Sequence, residues 1–67
     1  MNKFKITDTK DKADSYIYLS NDRFTYKDGK DYNDQTIKTF CSAMLKHGVL
    51  ECTIDTNNNQ VKLEFYY

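Results

Sequence analysis

The 67-residue chain contains no proline and no tryptophan, and only two glycines, two cysteines and one histidine. A loop that cradles a phosphate is rich in glycine, whereas Gly29 and Gly48 are isolated here and fit a turn and a helix end. A structural zinc site takes four ligands, and the only cysteine and histidine candidates are Cys41, His47 and Cys52. We therefore expect neither a metal ion nor a cofactor.

Long apolar runs are also missing. No stretch approaches the ~20 apolar residues of a membrane-spanning helix, and the N-terminal segment MNKFKITDTKDK lacks the apolar centre of a signal peptide. We expect a cytoplasmic protein without a membrane partner, in which Cys41 and Cys52 stay reduced. Both cysteines are predicted to point into the core, where simple packing is the favoured interpretation and a disulfide would require an oxidising compartment.

An excess of charge of one sign is absent too, because ten acidic and ten basic side chains cancel. Nucleic-acid binders usually carry a basic stripe, so this balance disfavours that class. What the chain does contain is 39% hydrophobic and 15% aromatic residues, a composition typical of a folded domain rather than of a disordered segment. Nine lysines against one arginine, together with six asparagines, are typical of an AT-rich genome such as those of many phages and plasmids.

Alternating apolar residues predict strands in the first half of the chain. Phe4 and Ile6 alternate with polar residues and indicate a short half-buried strand, which is followed by a polar connection over residues 7–15. The next stretch, YIYLSNDRFTY, is predicted to be a hairpin, because Asn21 and Asp22 both tolerate the positive φ angles of a two-residue turn. The residues of this hairpin that are predicted to face the core are Ile17, Leu19, Phe24 and Tyr26.

A single amphipathic helix is predicted over residues 34–47. Asn33 or Asp34 can cap its N-terminus, and Gly48 is a typical C-terminal stop because glycine readily takes the left-handed conformation. The apolar residues that are spaced as one face of this helix are Ile37, Phe40, Cys41, Met44 and Leu45.

The last part of the chain is predicted to form a second hairpin around a turn at Asn57-Asn58. The predicted fold is therefore α+β, a single domain 1–67 with one antiparallel-rich sheet of four to five strands. The helix packs on one face of the sheet, and the element order is β-ββ-α-ββ. The inward pairs that the second hairpin predicts are Leu50 with Phe65, Cys52 with Leu63 and Ile54 with Val61.

No arrangement of side chains in the sequence predicts catalysis. Cys41 and His47 are six positions apart on the helix, which puts them on different faces and about 9 Å apart along its axis. Asp28, Asp31 and Asp34 are three positions apart, a spacing that does not fit an EF-hand calcium loop. We interpret them as a glycine turn followed by a helix N-terminus, with an acidic contact patch as the alternative, and we expect no enzyme activity.

The remaining candidate for function is the sheet face that the helix leaves open. Aromatic residues are enriched at binding surfaces because they combine a large apolar area with a polar tip, but aromatic pairs also stabilise sheets. Tyr16 and Tyr18 are therefore equally compatible with a contact surface and with a structural role. The predicted partner-binding residues are Tyr16, Tyr18, Lys27, Asp28, Asp31 and Lys62.

We expect a small non-enzymatic protein that binds another protein. In size and in lacking an evident catalytic set, the chain resembles small phage inhibitors such as anti-CRISPR proteins, which implies that it blocks a host defence or nucleic-acid-processing complex. One alternative is a single-stranded nucleic-acid binder that stacks bases on tyrosines and contacts phosphates with Lys27 and Lys62. Glu51 and Glu64 on the same predicted face oppose that alternative. The other alternative is a homo-oligomer, for instance a homodimer, that associates through the open face.

Overall fold

The computed structural model describes residues 2–56 and 59–67. Its elements are β1 (Lys3–Asp8), β2 (Ala13–Ser20), β3 (Arg23–Thr25), α1 (Gln35–His47), β4 (Glu51–Thr56) and β5 (Asn59–Tyr66). The strands form one antiparallel sheet in the order β3-β2-β1-β5-β4, so the first strand is central. The predicted α+β fold and element order are confirmed.

The turn at Asn21 and Asp22 joins β2 to β3 as the sequence predicts. Both residues have positive φ angles, 51° and 63°, which is the geometry of a two-residue hairpin turn whose twist matches that of the strands. Leu19 consequently lies opposite Phe24, in the predicted register.

The register of the second hairpin is confirmed as well. The β4–β5 ladder pairs Cys52 with Leu63 and Ile54 with Val61. A one-residue slip would move every inward side chain of a strand to the other face, so the agreement fixes which residues of both strands meet the helix. The predicted turn at Asn57-Asn58 lies outside the described residues.

The structure corrects the polar connection that the sequence predicts over residues 7–15. β1 and β2 pair as far as Asp8 and Ala13, so they form a further hairpin of which only residues 9–12 remain as the loop. Oδ1 of Asp8 accepts the N–H of Lys10 at 2.9 Å and orders this loop. Polar strand residues resemble a loop in composition, and it is the backbone ladder to β1 that makes them a strand.

The helix α1 begins one residue after Asp34, which is its N-cap. The Asp34 side chain accepts the N–H of Ile37 at 3.2 Å and so satisfies one of the free donors of the first turn. Gly48 ends the helix in the left-handed conformation with a φ angle of 69°. Within residues 2–56 and 59–67, no helix is long and apolar enough to cross a membrane.

The hydrophobic core lies between α1 and the side of the sheet that faces it. Phe4 of the central strand is fully buried there and packs against Phe65, with ring centroids 4.8 Å apart. The partly buried rings of Phe24 and Phe65 pack against this core. The buried apolar residues are Phe4, Ile17, Ile37, Cys41, Met44, Ile54, Val61 and Leu63.

Four residues that the sequence predicts to face the core are instead exposed. Tyr26 is 47% exposed because β3 ends at Thr25 and the backbone then turns away from the sheet. Phe40 and Leu45 are 41% and 38% exposed, since they lie on the two flanks of the buried helical stripe. Leu50 is 54% exposed, although its carbonyl accepts the N–H of its predicted partner Phe65 at 2.9 Å.

Candidate partner-binding site

The sheet face opposite α1, which we call the open face, is not covered by any element of the described residues. Side chains alternate between the two faces of a strand, so the sequence neighbours of the core residues point to this face. Two cross-strand rows of the open face place Lys3 between Tyr18 and Tyr66, and Lys5 between Tyr16 and Glu64.

A groove of about 610 Å³ lies at the end of the open face where β3 stops. After Thr25 the chain turns through Tyr26 to Gly29, and the N–H of Gly29 donates to the carbonyl of Tyr26 at 2.9 Å. This turn stands beside β2 and forms one side of the groove, which we call the tyrosine groove. Its walls include Lys3, Tyr26 and four of the predicted partner-binding residues, namely Tyr16, Tyr18, Lys27 and Asp28.

Three tyrosines, Tyr16, Tyr18 and Tyr26, line this groove. Tyr16 is 40% exposed and Tyr18 is half-buried. Tyr26 packs edge-on against Tyr32, with ring centroids 5.4 Å apart, and this contact holds its ring at the rim. Nζ of Lys3 lies 5.0 Å from the centroid of the Tyr16 ring, within the range of a cation–π contact. The groove thus combines aromatic area with a cation already in place.

Asp14 stands on the β2 side of the tyrosine groove, and its charge is satisfied within the chain. Oγ1 of Thr7 donates to its Oδ1 at 3.0 Å, and Nζ of Lys5 lies 3.7 Å from its Oδ2. The Asp14 carboxylate, with a smaller contribution from Tyr16, raises the pKa of Lys5. Positive and negative groups alternate here, which gives the open face no field of one sign.

Two of the predicted partner-binding residues lie outside the tyrosine groove. Asp31 pairs with Arg23 at the outer edge of β3, and this guanidinium holds the pKa of the Asp31 carboxyl below its usual range. Lys62 lies on β5, with Nζ 3.5 Å from Glu51 and 4.0 Å from Glu64. Both residues are engaged by opposite charges of the same chain.

The sequence reasoning did not place Lys3 and Tyr26 at this site. Because Lys3 precedes the buried Phe4 in the strand, alternation indicates that Lys3 points to the open face. The position of Lys3 beside Tyr18, however, depends on the non-local pairing of β1 with β2. No local signal shows that β3 stops at Thr25. The sequence pattern therefore predicts that Tyr26 still belongs to the strand and faces the core, which is wrong.

The two cysteines lie outside the tyrosine groove. Cys41 is fully buried, and burial raises the pKa of its thiol to about 12, which leaves it uncharged and a poor nucleophile at neutral pH. Cys52 is half-buried, and both thiols are free. Asp28 accepts the N–H of Lys30 at 3.0 Å, as the turn interpretation predicts. Among the residues that the structure describes, no three His, Cys, Asp or Glu side chains are grouped as metal ligands would be.

Comparisons with known protein families, with curated proteins and with solved structures find no match for this chain.

Proposed function

We propose that this chain is a non-enzymatic protein-binding module that contacts its partner through the tyrosine groove and the adjoining open face. The observation that carries the proposal is the convergence of Tyr16, Tyr18 and Tyr26 with Lys3 around one groove of about 610 Å³. Large amphipathic side chains that keep apolar area in contact with water, with charges at the rim, have the composition of a protein contact surface.

The distribution of charge favours a protein partner over a nucleic acid. A phosphate backbone is bound by cations that are free to replace its counterions. Lys62, which the nucleic-acid alternative assigns to phosphate contacts, is shared between Glu51 and Glu64. Lys27 at the groove is followed directly by Asp28. These carboxylates would repel the phosphates that the lysines attract.

The narrower role that we propose is that of a phage- or mobile-element-encoded inhibitor, acting in the cytoplasm of the host cell on a defence or nucleic-acid-processing complex. It is supported by the small size and by the bias toward lysine and asparagine. The genes beside its own test this role. We expect an early phage operon or a cluster of anti-defence genes, and a conserved housekeeping operon would contradict it.

Capture of partners from a lysate of the source cells tests the contact surface itself. The baits are the wild-type chain, the double variant Tyr16→Thr/Tyr18→Thr, and Tyr67→Thr as a matched control. Tyr67 is 84% exposed and packs against Phe65, away from the tyrosine groove. We expect the same partner on the wild-type and Tyr67→Thr baits and its loss from the double variant. Equal capture by all three baits, or no specific capture by the wild type, would contradict the proposal.

A further inference from the structure

We propose that the partner enters the tyrosine groove as an extended peptide segment that adds a strand to the free edge of β2. This inference rests on the proposed function and names the kind of partner. β3 pairs only with Tyr18, Leu19 and Ser20. Residues 13–17 of β2 therefore have β1 on one side and, within the part of the chain that the structure describes, no strand on the other.

The direction of the backbone groups shows which residues of β2 are free to pair. The N–H of Leu19 donates to the carbonyl of Asn2 at 3.1 Å, so the polar backbone atoms of Leu19 point toward β1. Because this direction alternates along a strand, Ser15 also points toward β1, whereas Asp14 and Tyr16 direct their N–H and C=O groups to the free edge. No hydrogen bond among the described residues uses these groups.

An extended peptide can form hydrogen bonds with the free backbone groups of Asp14 and Tyr16 at the same time. Its own alternate residues present N–H and C=O groups at the same repeat, which is the basis of peptide recognition by strand addition. Asp14 and Tyr16 are also the residues whose side chains stand in the tyrosine groove. The backbone donors and the aromatic surface therefore serve the same incoming segment.

A second cavity lies beneath the same segment of β2, on the helix side of the sheet. It has a volume of about 280 Å³, and its walls are of mixed polarity. They include the apolar side chains of Ile6, Ile37 and Val61 and the polar side chains of Asp8, Ser15 and Asp34. Since side chains of an added strand alternate between the two faces, the peptide residue opposite Ser15 points toward this cavity. The neighbouring peptide residues lie in the tyrosine groove. The central side chain of the peptide therefore enters a cavity of mixed polarity, between α1 and the sheet.

The fold limits the length of the added strand at one end. We call the space beside residues 13–17 of β2 the slot. It ends at Tyr18, because the edge of β2 is occupied from there on by β3. At the other end the slot opens beside the loop of residues 9–12. Five residues of β2 span about 17 Å, which is enough for a short linear segment. The expected ligand is therefore a flexible stretch or chain end of the partner protein.

A second copy of this chain fits the slot less well than a flexible peptide. Its β2 would present Ser15 and Ile17 toward the helix side, and Ile17 is 0% exposed because it is already packed in its own core. Ser15 is too small to fill the cavity. β4, at the opposite edge of the sheet, carries the exposed charges of Glu51 and Asp55, a common protection against strand pairing. The free edge of β2 combines one charged residue, Asp14, with Tyr16.

A displayed library of random linear peptides is the probe that tests this inference. Enriched peptides are measured against three synthetic forms of the chain: wild type, N-methyl-Tyr16 and N-methyl-Thr53. N-methylation removes one backbone donor and leaves the side chain in place. Thr53 is the matched control, because the bond from the Phe65 N–H to the Leu50 carbonyl fixes the alternation in β4 and directs the N–H of Thr53 outward. All three forms are expected to fold.

We expect enriched peptides to bind N-methyl-Tyr16 about tenfold more weakly than the wild type, the effect of one hydrogen bond. Binding to N-methyl-Thr53 should equal that to the wild type. Failure to enrich any peptide, or equal binding to all three forms, would overturn strand addition. So would an unfolded N-methyl-Tyr16 form, since its N–H would then serve the fold. A dimer in light scattering that N-methylation of Tyr16 abolishes would make a second copy the occupant.

Failure of this inference can be told apart from failure of the proposed function. Enriched peptides that bind N-methyl-Tyr16 normally but lose binding to Tyr16→Thr/Tyr18→Thr would leave the contact surface in place and remove only strand addition. Peptides that tolerate the double variant and are sensitive to N-methyl-Tyr16 would show strand addition without a role for the tyrosine rings.

Discussion

Phe4 is the second residue of the central strand β1, and its ring lies near two other aromatic rings. Its ring centroid lies 4.8 Å from that of Phe65 and 6.1 Å from that of Phe24. It is 0% exposed, whereas Phe40 on the helix is 41% exposed. Two phenylalanines of equal hydrophobicity therefore differ in what they contribute to stability, because only Phe4 loses all of its contact with water on folding.

Substitution of Phe4 by alanine is expected to unfold the protein at 25 °C. Truncating a buried phenylalanine costs about 3–5 kcal/mol, and the whole stability of a domain of this size is about 3–5 kcal/mol. Phe40→Ala is the matched control and should cost less than about 1.5 kcal/mol. Urea unfolding followed by circular dichroism measures both, and equal losses for the two variants would contradict the assignment of the core.

The buried thiol of Cys41 predicts a loss of stability at alkaline pH. Its pKa is raised from 9.0 to about 12 by burial, so between these values the folded chain holds a proton that the unfolded chain has released. The stabilisation is complete below pH 9 and is lost progressively as the pH rises toward 12. By about pH 10 the loss from this group is on the order of 1 kcal/mol.

Cys41→Ala isolates this contribution. Urea unfolding at about pH 8 and about pH 10 should show that the wild type loses on the order of 1 kcal/mol more than the variant over this interval. Burial also raises the pKa of Tyr32, which Cys41→Ala leaves in place, so both proteins keep that share of the loss. Parallel pH profiles for the two proteins would show that Cys41 is not desolvated.

Among the elements, the helix and two hairpins follow from local sequence signals. Asp34 and Gly48 mark the ends of α1, because the Asp34 side chain caps a nearby N–H and Gly48 takes the left-handed conformation. Both effects depend only on residues close in sequence. The turn at Asn21 and Asp22 sets the β2–β3 register for the same reason. Both predictions depend on residues within one or two turns of the chain, and the structure confirms them.

The elements that the sequence did not reveal depend on contacts between distant residues. Residues 7–15 have the composition of a loop, yet most of them belong to β1 and β2 because the ladder between the strands satisfies their backbone groups. Tyr26 has the spacing of an inward strand residue, but β3 stops before it. A sequence pattern describes what a side chain prefers, whereas strand length is decided by the neighbouring strand.

Removal of the N-cap tests how far α1 depends on its own ends. Asp34→Ala deletes the acceptor for the Ile37 N–H and should lower the free energy of unfolding by about 1 kcal/mol. Asn33→Ala, one residue earlier and exposed, is the control and should change it by less than about 0.5 kcal/mol. Thermal unfolding monitored by circular dichroism compares the two. Equal effects would mean that the cap is not at Asp34.

At the scale of the whole molecule, the sheet has one covered face and one open face. The described residues measure 31 × 27 × 19 Å, and the one helix among them covers only one side of the sheet. The alternation of side chains alone predicts an open face that carries Tyr16 and Tyr18. It also predicts that positive and negative side chains are mixed on this face. The groove could not be predicted in this way, because it is formed by the early end of β3 and the turn that follows it.

Substitution of Tyr16 and Tyr18 distinguishes a role in binding a partner from a role in stabilising the sheet. Their cross-strand contacts are of a kind worth about 0.2–1 kcal/mol each, and threonine is also a good strand former. Tyr16→Thr/Tyr18→Thr should therefore remain folded if these side chains serve a partner. Lys3 would lose its contact with the Tyr16 ring, a small cost at an exposed site.

Thermal unfolding of the monomeric double variant Tyr16→Thr/Tyr18→Thr is the most direct test of the central claim, that the open face serves binding and is not required by the fold. The predicted result is a cooperative transition with a Tm within about 8 °C of the wild type, equivalent to about 1 kcal/mol. A fall of more than about 15 °C, or the loss of a cooperative transition, would show that the tyrosines hold the sheet together and would contradict the claim.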